Sequence, residues 1–144
     1  MTSNSNKPGT VFWIIAIVAT IWNALGVSAY LQQAYMTAED LAALPPEEAA
    51  LYDNVPAWVT AAFAIAVFGG LLGCILLLLR KKLATIVFLV SLIGIVAQMV
   101  YNLFMSKALD VYGPGGAIMP VMVIIIGIFL WKYSAKLSAK GVLN

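Results

Sequence analysis

Two long apolar runs, 57–79 and 83–105, are separated only by Arg80-Lys81-Lys82. Each run has the ~20 residues that an α-helix needs to cross the ~30 Å hydrocarbon core of a bilayer. Three residues cannot hold a folded domain between them, so the spacing predicts two membrane-spanning helices joined by a tight cationic turn. Cations beside spans stay on the cytosolic side, and the turn therefore fixes the expected orientation of the rest of the chain.

The flanking sequence has the same character. The chain is 63% hydrophobic and 10% charged, with a mean hydropathy of +0.99, against roughly 45–50% apolar and ~25% charged residues in soluble domains. These features predict an all-α membrane protein, a four-helix antiparallel bundle forming one integral membrane domain over 1–144. The expected spans are 11–30, 57–79, 83–105 and 117–133, with an outer loop at 31–56 and a basic C-terminal tail at 134–144. Lys7, Arg80, Lys81, Lys82, Lys132, Lys136 and Lys140 fall on one side of this arrangement and Lys107 alone on the other. That bias predicts a protein of the cytoplasmic membrane with both ends in the cytosol. The tail is expected to lie on the anionic inner leaflet.

Composition also restricts chemistry. The net charge of +2 gives no reason to expect a nucleic-acid partner. Histidine is absent and Cys74 is the single cysteine, which excludes His/Cys metal sites, Cys-His nucleophiles and disulfides within the chain. Cys74 reads as a small packing residue. Glu39, Asp40, Glu47, Glu48 and Asp53 are five of the six acidic residues, and all lie in the outer loop with no base or nucleophile beside them. We therefore expect no catalytic residues, no cofactor, no metal and no enzymatic activity. No charged residue lies in the core of any span, whereas charge-coupled pumps usually carry one there.

Taken in order, Pro8-Gly9 ends a short polar tail and Thr10 is the expected N-cap of the first span. Val27-Ser28-Ala29 has the small-x-small form of a signal-peptide cleavage site, and cleavage there leaves three spans. The run is long for a signal peptide and carries Trp22 and Asn23 in its middle, which favours an uncleaved span. In the outer loop, Thr37 with Asp40 and Pro46 with Glu47 and Glu48 are helix starts. Leu41, Leu44 and Leu51 would let two short helices lie on the membrane surface.

The second span begins at an interfacial Trp58 and repeats Ala62, Ala66, Gly70 and Cys74 every four residues, with Gly69 and Gly73 beside them. Small side chains at that spacing form a face for close helix packing, with a partner either in this chain or in a second copy. The third span places Ser91, Gly94, Gln98 and Asn102 near one face, expected to look inward because an amide in lipid leaves its hydrogen bonds unmade. Tyr112-Gly113-Pro114-Gly115-Gly116 marks a turn before the fourth span.

At ~1.5 Å per residue, Asn23 stands about 18 Å and Gln98 about 22 Å above the inner edge, so the two amides are within reach of each other. An aromatic ring adjoins each asparagine, Trp22 before Asn23 and Tyr101 before Asn102. Trp22, Asn23, Gln98, Tyr101 and Asn102 thus form either a path for a neutral polar solute or an interhelical polar cluster. Ile21-Trp22-Asn23 against Val100-Tyr101-Asn102 also hints at a duplicated helix pair.

The segments Trp22-Asn23-x-x-Gly26, Leu44-Pro45, Ala49-x-Leu51-Tyr52, Pro56-Ala57-Trp58, Gly69-Gly70-x-x-Gly73-Cys74, Arg80-Lys81-Lys82 and Tyr112-Gly113-Pro114-Gly115 carry a resemblance that extends over nearly the whole chain. In them the protein resembles a family of small uncharacterised bacterial membrane proteins with four transmembrane helices, sometimes labelled sugar transporters. The resemblance implies a membrane protein and a sugar-like solute. It assigns no residue a role. Better-understood small sugar carriers have three-helix units with hinge prolines, whereas Pro120 is the only proline within these spans.

Two functions follow as expectations. One is a passive carrier of small uncharged solutes, dimeric through the Ala62/Ala66/Gly70 face. The other is a non-transporting accessory or scaffold subunit whose small-residue face packs on a larger membrane partner.

Overall fold

A computed structural model describes residues 7–52 and 55–144 of the chain; the first six residues of the polar tail and Asp53 of the acidic loop lie outside the described residues. Among the described residues, four helices are long and apolar enough to cross a membrane. They are α1 (Thr10–Ala34), α4 (Ala57–Leu78), α5 (Leu83–Val100) and α7 (Ile118–Ala139). Short α2 (Ala38–Ala42) and α3 (Pro46–Ala49) lie between α1 and α4, and α6 (Ala108–Tyr112) lies between α5 and α7. Tyr101–Met105 continues α5 as a π-helical turn, closed by Ser106 N–H donating to the Tyr101 carbonyl at 2.7 Å.

Several boundaries differ from the expectation. Gly9, not Thr10, caps α1, because Thr10 is already helical and the Gly9 carbonyl accepts the Trp13 N–H at 3.3 Å. The helix also runs past Tyr30 to Ala34. Nothing in Leu31-Gln32-Gln33 breaks it, and the Gln32 amide reaches back one turn to the Ser28 hydroxyl at 3.2 Å. The outer loop is shorter by those residues. Thr37 and Asp40 form the expected capping box, with Asp40 N–H on the Thr37 hydroxyl at 3.1 Å and Thr37 N–H on the Asp40 carboxylate at 3.0 Å.

The helices pack as a row, α1 on α4, α4 on α5 and α5 on α7. The small face of α4 makes the first two contacts at once. A Cβ on Gly70 would collide with the Asn23 amide of α1 and stand 3.4 Å from Ser91 Oγ of α5. At Gly73 it would meet the Phe88 ring at 2.6 Å, and on Gly94 of α5 it would meet the Ala62 carbonyl at 2.9 Å. Ala62, Ala66, Gly70, Gly73 and Cys74 are buried and Gly69 is half-buried. Of the two partners left open for this face, a helix of this chain or of a second copy, α1 and α5 of the same chain are the ones that pack on it here.

One end of the row is closed by two interlocked helix caps. At the end of α4, Arg80 N–H donates to the Leu77 carbonyl at 2.9 Å and Lys81 N–H to the Leu76 carbonyl at 2.8 Å. That is a Schellman cap, with Arg80 at φ 58° in the left-handed position glycine usually takes. At the end of α7, Gly141 N–H donates to Ser138 and Val142 N–H to Leu137, at 3.2 and 3.0 Å, with Gly141 at φ 79°. The segment after Gly141 then crosses the cationic turn. Asn144 N–H donates to the Arg80 carbonyl at 2.7 Å, Lys82 N–H to the Asn144 carbonyl at 2.8 Å, and Arg80 Nε to the Val142 carbonyl at 3.0 Å.

Residues 134–139 continue α7, because Ser134 and Leu137 are buried and keep its inner face covered, and Val142 and Leu143 turn into the core. Lys136 and Lys140 still face outward. The core of this end contains Phe12, Ala16 and Ala19 of α1, Cys74 and Leu77 of α4, Ala84 and Phe88 of α5, and Leu130 and Leu137 of α7. The start of α1, the cationic turn and the end of α7 therefore share one end of the molecule.

Candidate functional site

Beyond that core the row opens. A cavity of about 390 Å³ is walled by all four long helices, including Trp22, Asn23 and Gly26 of α1, Phe63, Ala66 and Gly70 of α4, Ser91, Gln98 and Met99 of α5, and Met119, Val123 and Gly127 of α7. Its volume falls within the ~300–1,000 Å³ of small-molecule sites. Phe88 and Leu130 belong both to its wall and to the packed core, so the cavity is blind toward the basic end. A second cavity of about 220 Å³ lies farther from that end, beneath the short helices, lined by Gln33, Tyr52, Tyr101, Asn102, Ser106 and Tyr112 among others. Phe63 and Gln98 line both.

The polar groups in these walls differ in how they are used. The Asn23 amide donates to the Ala19 carbonyl at 2.9 Å and to Cys74 Sγ at 3.4 Å, while its oxygen packs on Gly70. The Ser91 hydroxyl donates to the Ala66 carbonyl at 2.6 Å. Both are committed to holding helices together. The Gln98 amide makes no hydrogen bond to any described residue, and its atoms are not buried. It remains available at the junction of the two cavities.

Of the five residues expected in a path, Trp22, Asn23 and Gln98 line the inner cavity and Gln98, Tyr101 and Asn102 the outer one. Asn23 and Gln98 do not hydrogen-bond each other. The Tyr101 ring packs edge-on against Trp58, centroids 6.0 Å apart. The Trp22-Asn23 and Tyr101-Asn102 pairs serve different cavities, which leaves the hint of a duplicated helix pair without geometric support. Phe63 and Gln33 went unnoticed in the sequence. Gln33 lies in residues assigned to a loop, and Phe63 is one of many apolar residues in α4; its ring meets Tyr30 edge-on at 5.3 Å.

The outer cavity is roofed by the short helices. The Tyr112 phenol of α6 is pushed above its ordinary range, first by partial burial and then by the nearby Glu48 carboxylate and Tyr52. Among the described residues no group of His, Cys, Asp or Glu is placed to hold a metal ion. The inner cavity can accept a neutral ligand through one amide and an apolar wall, and the outer cavity adds the amides of Gln33 and Asn102 and the hydroxyls of Ser106 and three tyrosines. Comparison of the chain with models of protein families, with curated proteins and with solved structures finds no match.

Proposed function

We propose that this chain is a passive carrier of small uncharged solutes in the cytoplasmic membrane. It is not an enzyme, and its four spans run antiparallel with both ends of the chain in the cytosol. The unbonded Gln98 amide, at the junction of two cavities, carries the reading: an amide left without a partner at membrane depth is costly unless something else satisfies it. The orientation rests on the gathering of the start of α1, Arg80-Lys81-Lys82 and the end of α7 at one end of the molecule.

The outer cavity, with Gln33, Asn102, Ser106 and three tyrosines, suits a hydroxylated solute such as the sugar that the resemblance implies. The packed core must open for passage, so transport requires the helices to separate at the basic end. An accessory subunit would have to dock through the outward faces of α1 and α7, since the small-residue face is covered.

Uptake of a labelled hexose into proteoliposomes tests the carrier. Gln98→Leu is expected to abolish saturable uptake with the fold intact, and uptake unchanged by it refutes the assignment. Impermeant labelling of Cys introduced at Glu39 tests orientation; modification from the cytosolic side overturns it.

A further inference from the structure

The inner cavity has a second opening. Because the helices pack in a row, its two ends, α1 and α7, meet over no extended length beyond the basic core. Leu25 of α1 and Met119 of α7 both line the cavity, yet they are 64% and 58% exposed. Ala29, one turn beyond Leu25, also lines it and is exposed. These residues lie in the outer halves of helices long and apolar enough to cross a membrane, so the gap between them opens toward the outer leaflet.

We infer that the inner cavity takes a single-chain uncharged amphiphile, such as a monoacylglycerol or long-chain alcohol, drawn sideways from the bilayer through the gap between α1 and α7. Its hydroxyl end bonds the Gln98 amide and its chain lies along the apolar wall toward Phe88 and Leu130. This goes beyond the carrier reading: it shares the Gln98 anchor but gives the inner cavity an occupant other than the hydroxylated solute that suits the outer one.

Three observations select this occupant. The cavity lining contains no charged residue, so an ionic headgroup would be buried without a counter-ion. Asn23 and Ser91 are already bonded, leaving one amide in a largely apolar wall; a hexose would bury several hydroxyls there without partners. The opening lies at acyl-chain depth, where a lipid-soluble ligand is concentrated and a sugar is absent.

The test uses the full chain in nanodiscs of unbrominated phospholipid, with Trp13, Trp58 and Trp131 changed to Phe so that Trp22 alone reports from the cavity wall. A monoacylglycerol with a dibrominated chain is titrated in, and quenching is expected to saturate. Ala29→Phe with Met119→Phe, both at exposed positions, narrows the gap and is expected to slow the approach to saturation at least tenfold. Gln98→Leu is expected to weaken it about tenfold, one lost hydrogen bond. Quenching that rises linearly, as for bulk lipid, overturns the inference; if hexose uptake still depends on Gln98, the carrier stands without it. A rate of quenching untouched by the narrowed gap overturns lateral access. Absence of both saturable quenching and Gln98-dependent uptake removes both readings.

Discussion

Gly70→Ala offers the sharpest test of how the helices are held. The new methyl would fall on the Asn23 amide, which cannot swing aside without losing its bonds to Ala19 and Cys74. Overpacking of this kind costs about 1–3 kcal/mol, and each lost polar contact in a membrane adds roughly 0.6 kcal/mol. The better helix preference of alanine returns up to ~1 kcal/mol. The expected net destabilisation is about 1–3 kcal/mol. In an Asn23→Ala background the obstacle is gone, and the remaining neighbour, Ser91 Oγ at 3.4 Å, is at ordinary contact distance. There the same substitution is expected to be neutral or slightly stabilising. The change of sign is the point of the experiment.

The cycle is measured by equilibrium unfolding in mixed micelles with increasing SDS. Cys74, the single thiol and fully buried, gives an independent readout through its rate of maleimide labelling. Gly94→Ala serves as the contrast: its Cβ would meet the Ala62 carbonyl and the Ala66 nitrogen, backbone that no truncation can move. Equal costs for Gly70→Ala in both backgrounds, within ~0.5 kcal/mol, would show that Asn23 does not occupy the space above Gly70 and refute the reasoning.

Other outcomes follow from the caps and the outer loop. Arg80→Gly removes the guanidinium bond to Val142 but relieves the left-handed backbone, so it is expected to be less damaging than Arg80→Ala by about 1 kcal/mol; the same SDS titration ranks the two. Leu143→Ala, at a side chain only 1% exposed, is expected to cost about 2–4 kcal/mol and to raise the labelling rate of Cys74 in the same core. The bonds from Thr37 hold the Asp40 carboxyl below its ordinary 3.8, so the capping box is complete above that value and weakens as pH falls through the lowered one. Titrating Asp40 by NMR in the wild type and in Thr37→Ala should show the pKa rising toward its ordinary value in the variant.

Much of this protein was present in the sequence alone. Four apolar runs of spanning length, with no charge in their cores, make helices long and apolar enough to cross a membrane, and the Thr37 box and the Pro46 start are local patterns that need only their own neighbours. The four-residue spacing of small residues in α4 identified a packing face for the same reason: helical periodicity is a property of one segment.

Which helix covers that face is not local. Asn23 and Gln98 looked alike in the sequence, each an amide in a span, but axial position sets Asn23 over Gly70 and Cys74 and leaves Gln98 between two cavities. Arg80 in a left-handed cap gave no signal, because that conformation is favoured by glycine and is stabilised here by a segment sixty residues away. The gap between α1 and α7 likewise exists only because the helices pack as a row. Contacts between distant segments depend on register and order, and only tertiary packing sets those.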